Sequence, residues 1–156
     1  MKPFEHVIDQ HGPAILRYCA GRVGPERAED CFQETMLAAL RSYEEVRDEK
    51  AVKAWLFKIA TRKSIDIYRS HAKQDAPAGQ LDPVESRRKS DQPGHSDVWS
   101  VVDHLPDKQR DAIYLRFQGG LNHREVGVVM GISESAARRN GFEGLKRLRS
   151  ESGSWS

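Results

Sequence analysis

The chain has 156 residues, 38% hydrophobic and 31% charged, a polar balance that favours small helical units over one large core. A net charge of only +2 excludes a blanket polycation, so any nucleic-acid surface must come from a local concentration of basic residues. There is no long apolar run, no signal-peptide pattern and no internal repeat, and a soluble, cytoplasmic protein without membrane insertion is expected.

Phe4 to Val23 has helical periodicity, with Val7, Ile8, Ile15, Leu16, Cys19 and Val23 in one apolar stripe. Pro13 predicts a kink, or a new helix begun at its first turn. Gly24-Pro25 then breaks the chain, and Pro25 is placed to open a second helix, PERAEDCFQETMLAALRSY. Ala28, Cys31, Phe32, Thr35, Met36, Ala39 and Leu40 form the predicted buried face of that helix. Asp30, Gln33, Glu34 and Arg41 face outward, either as an ordinary solvated face or as a docking surface for a basic protein partner; residue types alone favour the former. Cys19 and Cys31 lack CxxC spacing and sit among apolar helical positions, where free buried thiols are expected and a disulfide is the minor alternative.

Glu44 to Lys50 reads as a charged loop, and a third helix runs from about Ala51 to His71. Val52, Leu56, Ile59, Ala60 and Ile67 share one face, flanked by Phe57 and Tyr68. Opposite them Lys58, Arg62, Arg69 and Lys73 line up, with Trp55 in the same stripe. From Lys53 to Lys73 the basic residues Lys53, Lys58, Arg62, Lys63, Arg69 and Lys73 are met by one acidic residue, Asp66. Cations follow phosphates and a flat ring stacks on an unpaired base, so Trp55, Lys58, Arg62, Lys63 and Arg69 form a candidate single-strand surface. For Trp55, packing against helix one or two remains the competing reading.

From Ala72 to about Ser96 prolines and glycines replace apolar residues and the charges balance, the composition of a linker. An all-α protein of two small helical bundles follows: residues 1–72, a flexible linker over 73–96, a second bundle over 97–150, and a polar tail over 151–156. In the second bundle Asp97 to Leu105 predicts a short helix with Val98, Val101, Val102 and Leu105 inward. Pro106 ends it or starts the next, Asp107 to Gln118, which Gly119-Gly120 closes.

Leu121 to Arg149 reads as two helices around a short turn. Asn122 and Glu125 have capping-box spacing, and Val126, Val129 and Met130 give the first helix its apolar face. Gly131 stops it, Ile132 plugs the turn, and Ser133 caps the second helix. On that helix Ala137, Gly141, Gly144, Leu145 and Leu148 fall inward, while Ser135, Arg139, Phe142 and Lys146 fall outward with Arg138 at the flank. A helix-turn-helix with a basic outer face suits docking in a major groove. Asn140-Gly141 is a stop signal inside this helix, and either glycine could serve instead for close packing on a neighbour.

No sequence feature points to an enzyme. His6, His11, His71, His95, His104 and His123 form no HExxH pair or Cys/His cluster, and neither a phosphate-binding glycine loop nor a nucleophile elbow occurs. No catalytic residue, metal, cofactor or small-molecule substrate is expected.

Taken together, AEDCFQETMLAALRSY, AWLFKIATRKSIDIYRSH and LPDKQRDAIYLRFQGGLNHREVGVVMGIS resemble a bacterial RNA polymerase sigma factor of the extracytoplasmic-function (ECF) type, over nearly the whole chain. The resemblance implies that Asp30, Gln33 and Glu34 grip RNA polymerase core, in place of the solvated-face reading. It implies that the third helix and the loop before it hold the unpaired non-template strand of promoter DNA at the minus-ten element, with one base flipped out. Ser135, Arg138, Arg139, Phe142 and Lys146 would read the duplex at the minus-thirty-five element, and an anti-sigma factor is an implied partner. Arg62 stands where most relatives carry Asn, so a departure from the usual minus-ten base preference is expected; Asn140 and Glu143 stand where basic residues are common and Gly141 where a larger apolar residue is usual, so an unusual or weaker upstream-element contact is expected. The rival reading is a stand-alone helix-turn-helix regulator that binds duplex DNA as a dimer without polymerase, against which the basic, Trp-bearing third helix argues.

Overall fold

The computed structural model describes residues 2–75 and 97–151, and every regular element among them is helical. Three long helices, α1 (Phe4–Val23), α2 (Ala28–Ser42) and α3 (Val52–Asp75), pack against one another in the N-terminal bundle. The C-terminal bundle contains α4 (Asp97–Val102), α5 (Asp107–Ile113), a π-helical segment (Tyr114–Gln118), α6 (His123–Met130) and α7 (Glu134–Glu151). The linker expected over 73–96 and the tail over 151–156 lie outside the described residues, apart from 73–75, which finish α3, and Glu151, which ends α7.

α1 buries Val7, Ile15, Tyr18, Cys19 and Val23 at helical spacing. It continues through Pro13 with no second helix begun there; the ring is exposed, so the carbonyl that loses its usual donor faces water. Gly24 ends α1 at φ 91, a backbone that glycine adopts without steric cost. Pro25 lies in the turn that follows, and α2 begins only at Ala28, three residues later than its position predicted. Ala28, Cys31, Thr35, Met36 and Ala39 are buried as read, but Leu40 is 55% exposed: the inward stripe of α2 is narrower than its apolar residues. Cys19 and Cys31 are free and buried. α3 turns Leu56, Phe57 and Ala60 wholly inward, with the Phe57 ring edge-on to Tyr18 at 5.3 Å between centroids.

In the C-terminal bundle Val102 and Leu105 are buried, whereas Val98 is 37% exposed. The helix read over Asp107 to Gln118 divides at Tyr114, where Gly119 N–H reaches back to the Tyr114 carbonyl and widens the turn. That widening keeps Tyr114 and Leu115 buried and leaves Phe117 exposed. Tyr114 OH donates to buried Asp103 at 2.6 Å. The capping box is present in both directions: Glu125 N–H to Asn122 at 2.8 Å, and Asn122 N–H to the Glu125 carboxylate at 2.9 Å. Gly131 takes the left-handed conformation at φ 70, and Ser133 Oγ accepts from Ala136 N–H at 3.0 Å.

The two α7 glycines differ. A Cβ at Gly144 would press on the buried Ile113 side chain at 3.1 Å, whereas one at Gly141 would meet only His123 at an ordinary 3.9 Å. Gly141→Ala is therefore expected to stabilise the protein by about 0.5–1 kcal/mol through helix propensity, and Gly144→Ala to gain nothing or lose stability. Thermal unfolding of the two variants side by side checks this; equal shifts would contradict the packing.

The bundles also meet each other. The C-terminal half of α1 lies on the π segment, and the start of α3 lies on α6. Arg22, only 5% exposed, donates from Nη1 to Asp111 at 3.1 Å, and its guanidinium sits 4.5 Å from the Tyr114 ring centroid. Arg17 Nε reaches the Gln118 carbonyl at 3.5 Å. Lys53 pairs with Glu125 at 3.0 Å. Burial works to raise the Glu125 pKa, but the Asn122 N–H and the Lys53 ammonium outweigh it and hold the carboxyl below its usual range.

Candidate nucleic-acid interface

Two basic surfaces stand out, one on each bundle. On α7 the inward side chains Ala137 and Leu148 are buried, and Gly141 and Gly144 lie on the same side. Ser135, Arg138, Arg139, Phe142 and Lys146 are all exposed on the other side. Phe142 is 73% exposed, an apolar ring in water on an otherwise polar face. Nothing in its own bundle covers it. Arg138 is tied to Glu134 one turn back at 3.5 Å, while Arg139 has no ion pair among the described residues. At the foot of the face, His123 is pushed toward its neutral form first by burial and then by Arg116 and Arg138. The helix-turn-helix is tight where it must be: a Cβ at Gly127 would strike the Ile132 carbonyl at 2.8 Å.

On α3 Lys58, Arg62 and Arg69 point to solvent, and none is in an ion pair with a described residue. Lys63 is half-buried. Trp55 is half-buried too, with one side against the core and its ring 6.2 Å from Tyr43. Only part of that ring is open to a stacking partner. A pocket of about 280 Å³ is bounded by α1, the turns before α3 and the start of α3, with Gln10, His11, Tyr43, Glu49, Lys50 and Lys53 in its wall and Trp55 outside it. Burial first, and Lys53 second, keep His11 toward the neutral form. The periodicity of α1 and α3 did not disclose this pocket, because it is made by residues from four separate stretches.

The outward residues of α2 are gathered by the fold. Asp30, Gln33 and Glu34 line one cleft of about 340 Å³ with Leu37, Ile67 and Ser70. Leu37, 54% exposed, was not singled out in the sequence; an outward leucine among acidic and amide side chains is the available signal. Among the described residues no group of three His, Cys, Asp or Glu side chains is arranged to hold a metal, and no helix is long and apolar enough to cross a membrane.

Comparison with known proteins is consistent across the chain. Residues 7–74 match the family model described as Sigma-70 region 2, and residues 101–150 match Sigma-70, region 4. The chain is 30% identical over 120 residues to RNA polymerase sigma factor SigV of Bacillus subtilis, covering 77% of this chain and 72% of that protein. It is 32% identical over 130 residues to the ECF RNA polymerase sigma factor SigM of Bacillus subtilis, covering 78% and 77%. Against the ECF RNA polymerase sigma factor SigD of Mycobacterium tuberculosis it is 30% identical over 158 residues, covering 93% and 74%. Among solved structures, CnrH in complex with the cytosolic domain of CnrY shares the fold with a TM-score of 0.69 at 22% identity, over 98% of this chain and 89% of that one. The sigma factor RpoE in complex with the anti-sigma factor NepR, from Bartonella quintana, gives 0.69 at 18% identity over 100% of both chains.

Proposed function

The chain belongs to the ECF group of sigma-70 RNA polymerase sigma factors, which direct polymerase to promoter DNA, and we propose how its own residues divide that work. Residues 1–72 bind core polymerase and the minus-ten element, and residues 97–150 read the minus-thirty-five element. Asp30, Gln33 and Glu34, gathered in one cleft, engage a basic surface of core. Ser135, Arg138, Arg139, Phe142 and Lys146 enter the major groove of the duplex, where arginine reads guanine and an exposed ring meets a thymine methyl. Lys58, Arg62, Lys63 and Arg69 track the phosphates of the opened strand, Trp55 offers a partial stacking face, and the separate pocket between α1 and the start of α3 has room for one flipped base.

The observation that carries this reading is the pair of solvent-facing basic surfaces on separate bundles, one of them on the outer face of a capped helix-turn-helix. Melting is driven by binding energy, since core and sigma factor together hold the opened strand better than the duplex; no residue of the chain does covalent chemistry. The protein works in the cytoplasm with polymerase. An anti-sigma factor is a further partner, supported by the solved neighbour that is bound to one.

Run-off transcription with core polymerase on genomic DNA tests the reading and identifies the promoter together. Failure to associate with core or to enable initiation at any site would overturn it. A gel shift on duplex DNA without core separates it from a stand-alone regulator.

A further inference from the structure

His123 opens α6, the first helix of the helix-turn-helix, and the division of work proposed above gives it no part. Its ring is half-buried, and its two nitrogens stand in different surroundings. Nδ1 is sealed from water and has no hydrogen-bond partner. Nε2 has no partner among the described residues either, but it is not sealed, so it opens to solvent. Buried N–H groups without an acceptor are rarer than buried acceptors without a donor. The neutral ring therefore carries its hydrogen on Nε2, where it bonds to water, and leaves Nδ1 a bare acceptor. The imidazole is held beside α7: Cε1 lies 3.9 Å from where a Cβ would stand at Gly141, an ordinary contact.

A helix-turn-helix lays its second helix in the major groove while the first crosses the DNA backbone. With α7 in the groove, the first turn of α6 comes to the backbone, and the solvent-facing Nε2–H is a side-chain donor that it offers there. The charged groups that bear on the ring are Arg116 from the π segment and Arg138 and Glu134 from α7. The two arginines oppose a charge on the imidazole, after burial, and Glu134 favours one. Docking changes that balance. A phosphate brings negative charge to the ring, and Arg138, tied to Glu134 at 3.5 Å in the free chain, turns toward the DNA and frees the carboxylate. Both changes favour imidazolium over imidazole.

We propose that His123 donates from Nε2 to a backbone phosphate at the edge of the minus-thirty-five element and takes up a proton from solvent at Nδ1 as it does so, which makes promoter binding proton-linked. The proposal rests on the reading of α7 as the duplex-binding helix. Its sign is fixed. The free chain holds His123 below the usual histidine value, and the bound chain holds it higher. Affinity therefore rises as pH falls through the bound-state pKa, and levels off once pH is below that of the free chain.

Holoenzyme assembled with the unmodified chain, His123→Gln or His123→Lys is compared on a promoter duplex by fluorescence anisotropy, across a salt series at pH 8 and pH 6. The affinity ratio of unmodified to glutamine chain is expected to grow at least about threefold from pH 8 to pH 6, and the unmodified salt slope to steepen against the glutamine slope by up to about 0.9, the value of one neutralised phosphate. Lysine, with a fixed charge, is expected to show the steeper slope at both pH values. A ratio that does not move with pH overturns the proton linkage, and a lysine slope no steeper than the glutamine slope overturns the phosphate contact. An uncharged methylphosphonate, placed in turn at each phosphate flanking the element, repeats the test on the unmodified protein and so does not depend on either variant folding. One position is expected to remove most of the gain in affinity between pH 8 and pH 6; if none does, the contact is overturned. Should the unmodified holoenzyme bind no better than to a duplex scrambled at the minus-thirty-five element, the role given to α7 fails and the contact with it. Specific binding without the pH-dependent difference sinks the contact alone.

Discussion

Replacing Lys58, Arg62 and Arg69 together by alanine is expected to weaken holoenzyme binding to a single-stranded minus-ten oligonucleotide by on the order of ten- to a hundredfold at about 0.1 M salt. The three side chains are exposed on one face of α3 and pair with no described acidic residue, so their charge is available to phosphate. Each phosphate neutralised releases condensed counterions, and for single strands the salt slope changes by about 0.7 per contact. Losing all three should therefore flatten the slope of log K against log salt by about 2. Fluorescence anisotropy across a salt series reads both quantities. Alanine is a good helix former and none of the three sites is buried, so folding should be little affected. An unchanged slope would remove the α3 stripe from the strand-binding surface.

The second large effect is expected on α7, and it is unequal between adjacent arginines. Arg139→Ala should cost more promoter affinity than Arg138→Ala, within about 1–3 kcal/mol for a bidentate base contact. Arg138 must first give up Glu134, one turn back, whereas Arg139 has no competing carboxylate among the described residues. Holoenzyme binding to a promoter fragment, compared with a fragment scrambled at the minus-thirty-five element, separates base reading from general attraction. If both variants bind as the unmodified protein does, α7 is not the reading helix. The Gly141 departure lies on the opposite, inward side of the same helix. Its Cβ position is open toward His123, so the residue is not required for packing.

Local features were legible in the sequence, and distant ones were not. The Asn122–Glu125 box, the Gly131 stop and the Ser133 cap each depend on residues three or four apart, and each appears in the structure where spacing placed it. The inner and outer faces of α7 follow from helical period alone, and all five outward residues are exposed. Period was less reliable for stripe width: Leu40 and Val98 are apolar and close to the buried face, yet both reach solvent. Pro25 misled for a different reason, since proline suits both a helix start and a turn. The widened turn over Tyr114–Gln118 leaves no mark on period, because one extra residue is lost in the scatter of a short helix. Arg22 was invisible as a buried residue. It sits in a helical pattern as an ordinary basic side chain, and its acidic partner comes from the other bundle.

The seam between the bundles has a consequence for how the chain is made. The N-terminal bundle leaves the ribosome first, and 89 residues separate Arg22 from the aspartate that covers it. At about 5–20 residues per second, roughly 4–18 seconds pass before that partner is even synthesised. During that interval the nascent bundle carries a hydrated guanidinium and an uncovered Phe57 edge, the same surface that separation of the bundles would restore in the finished protein.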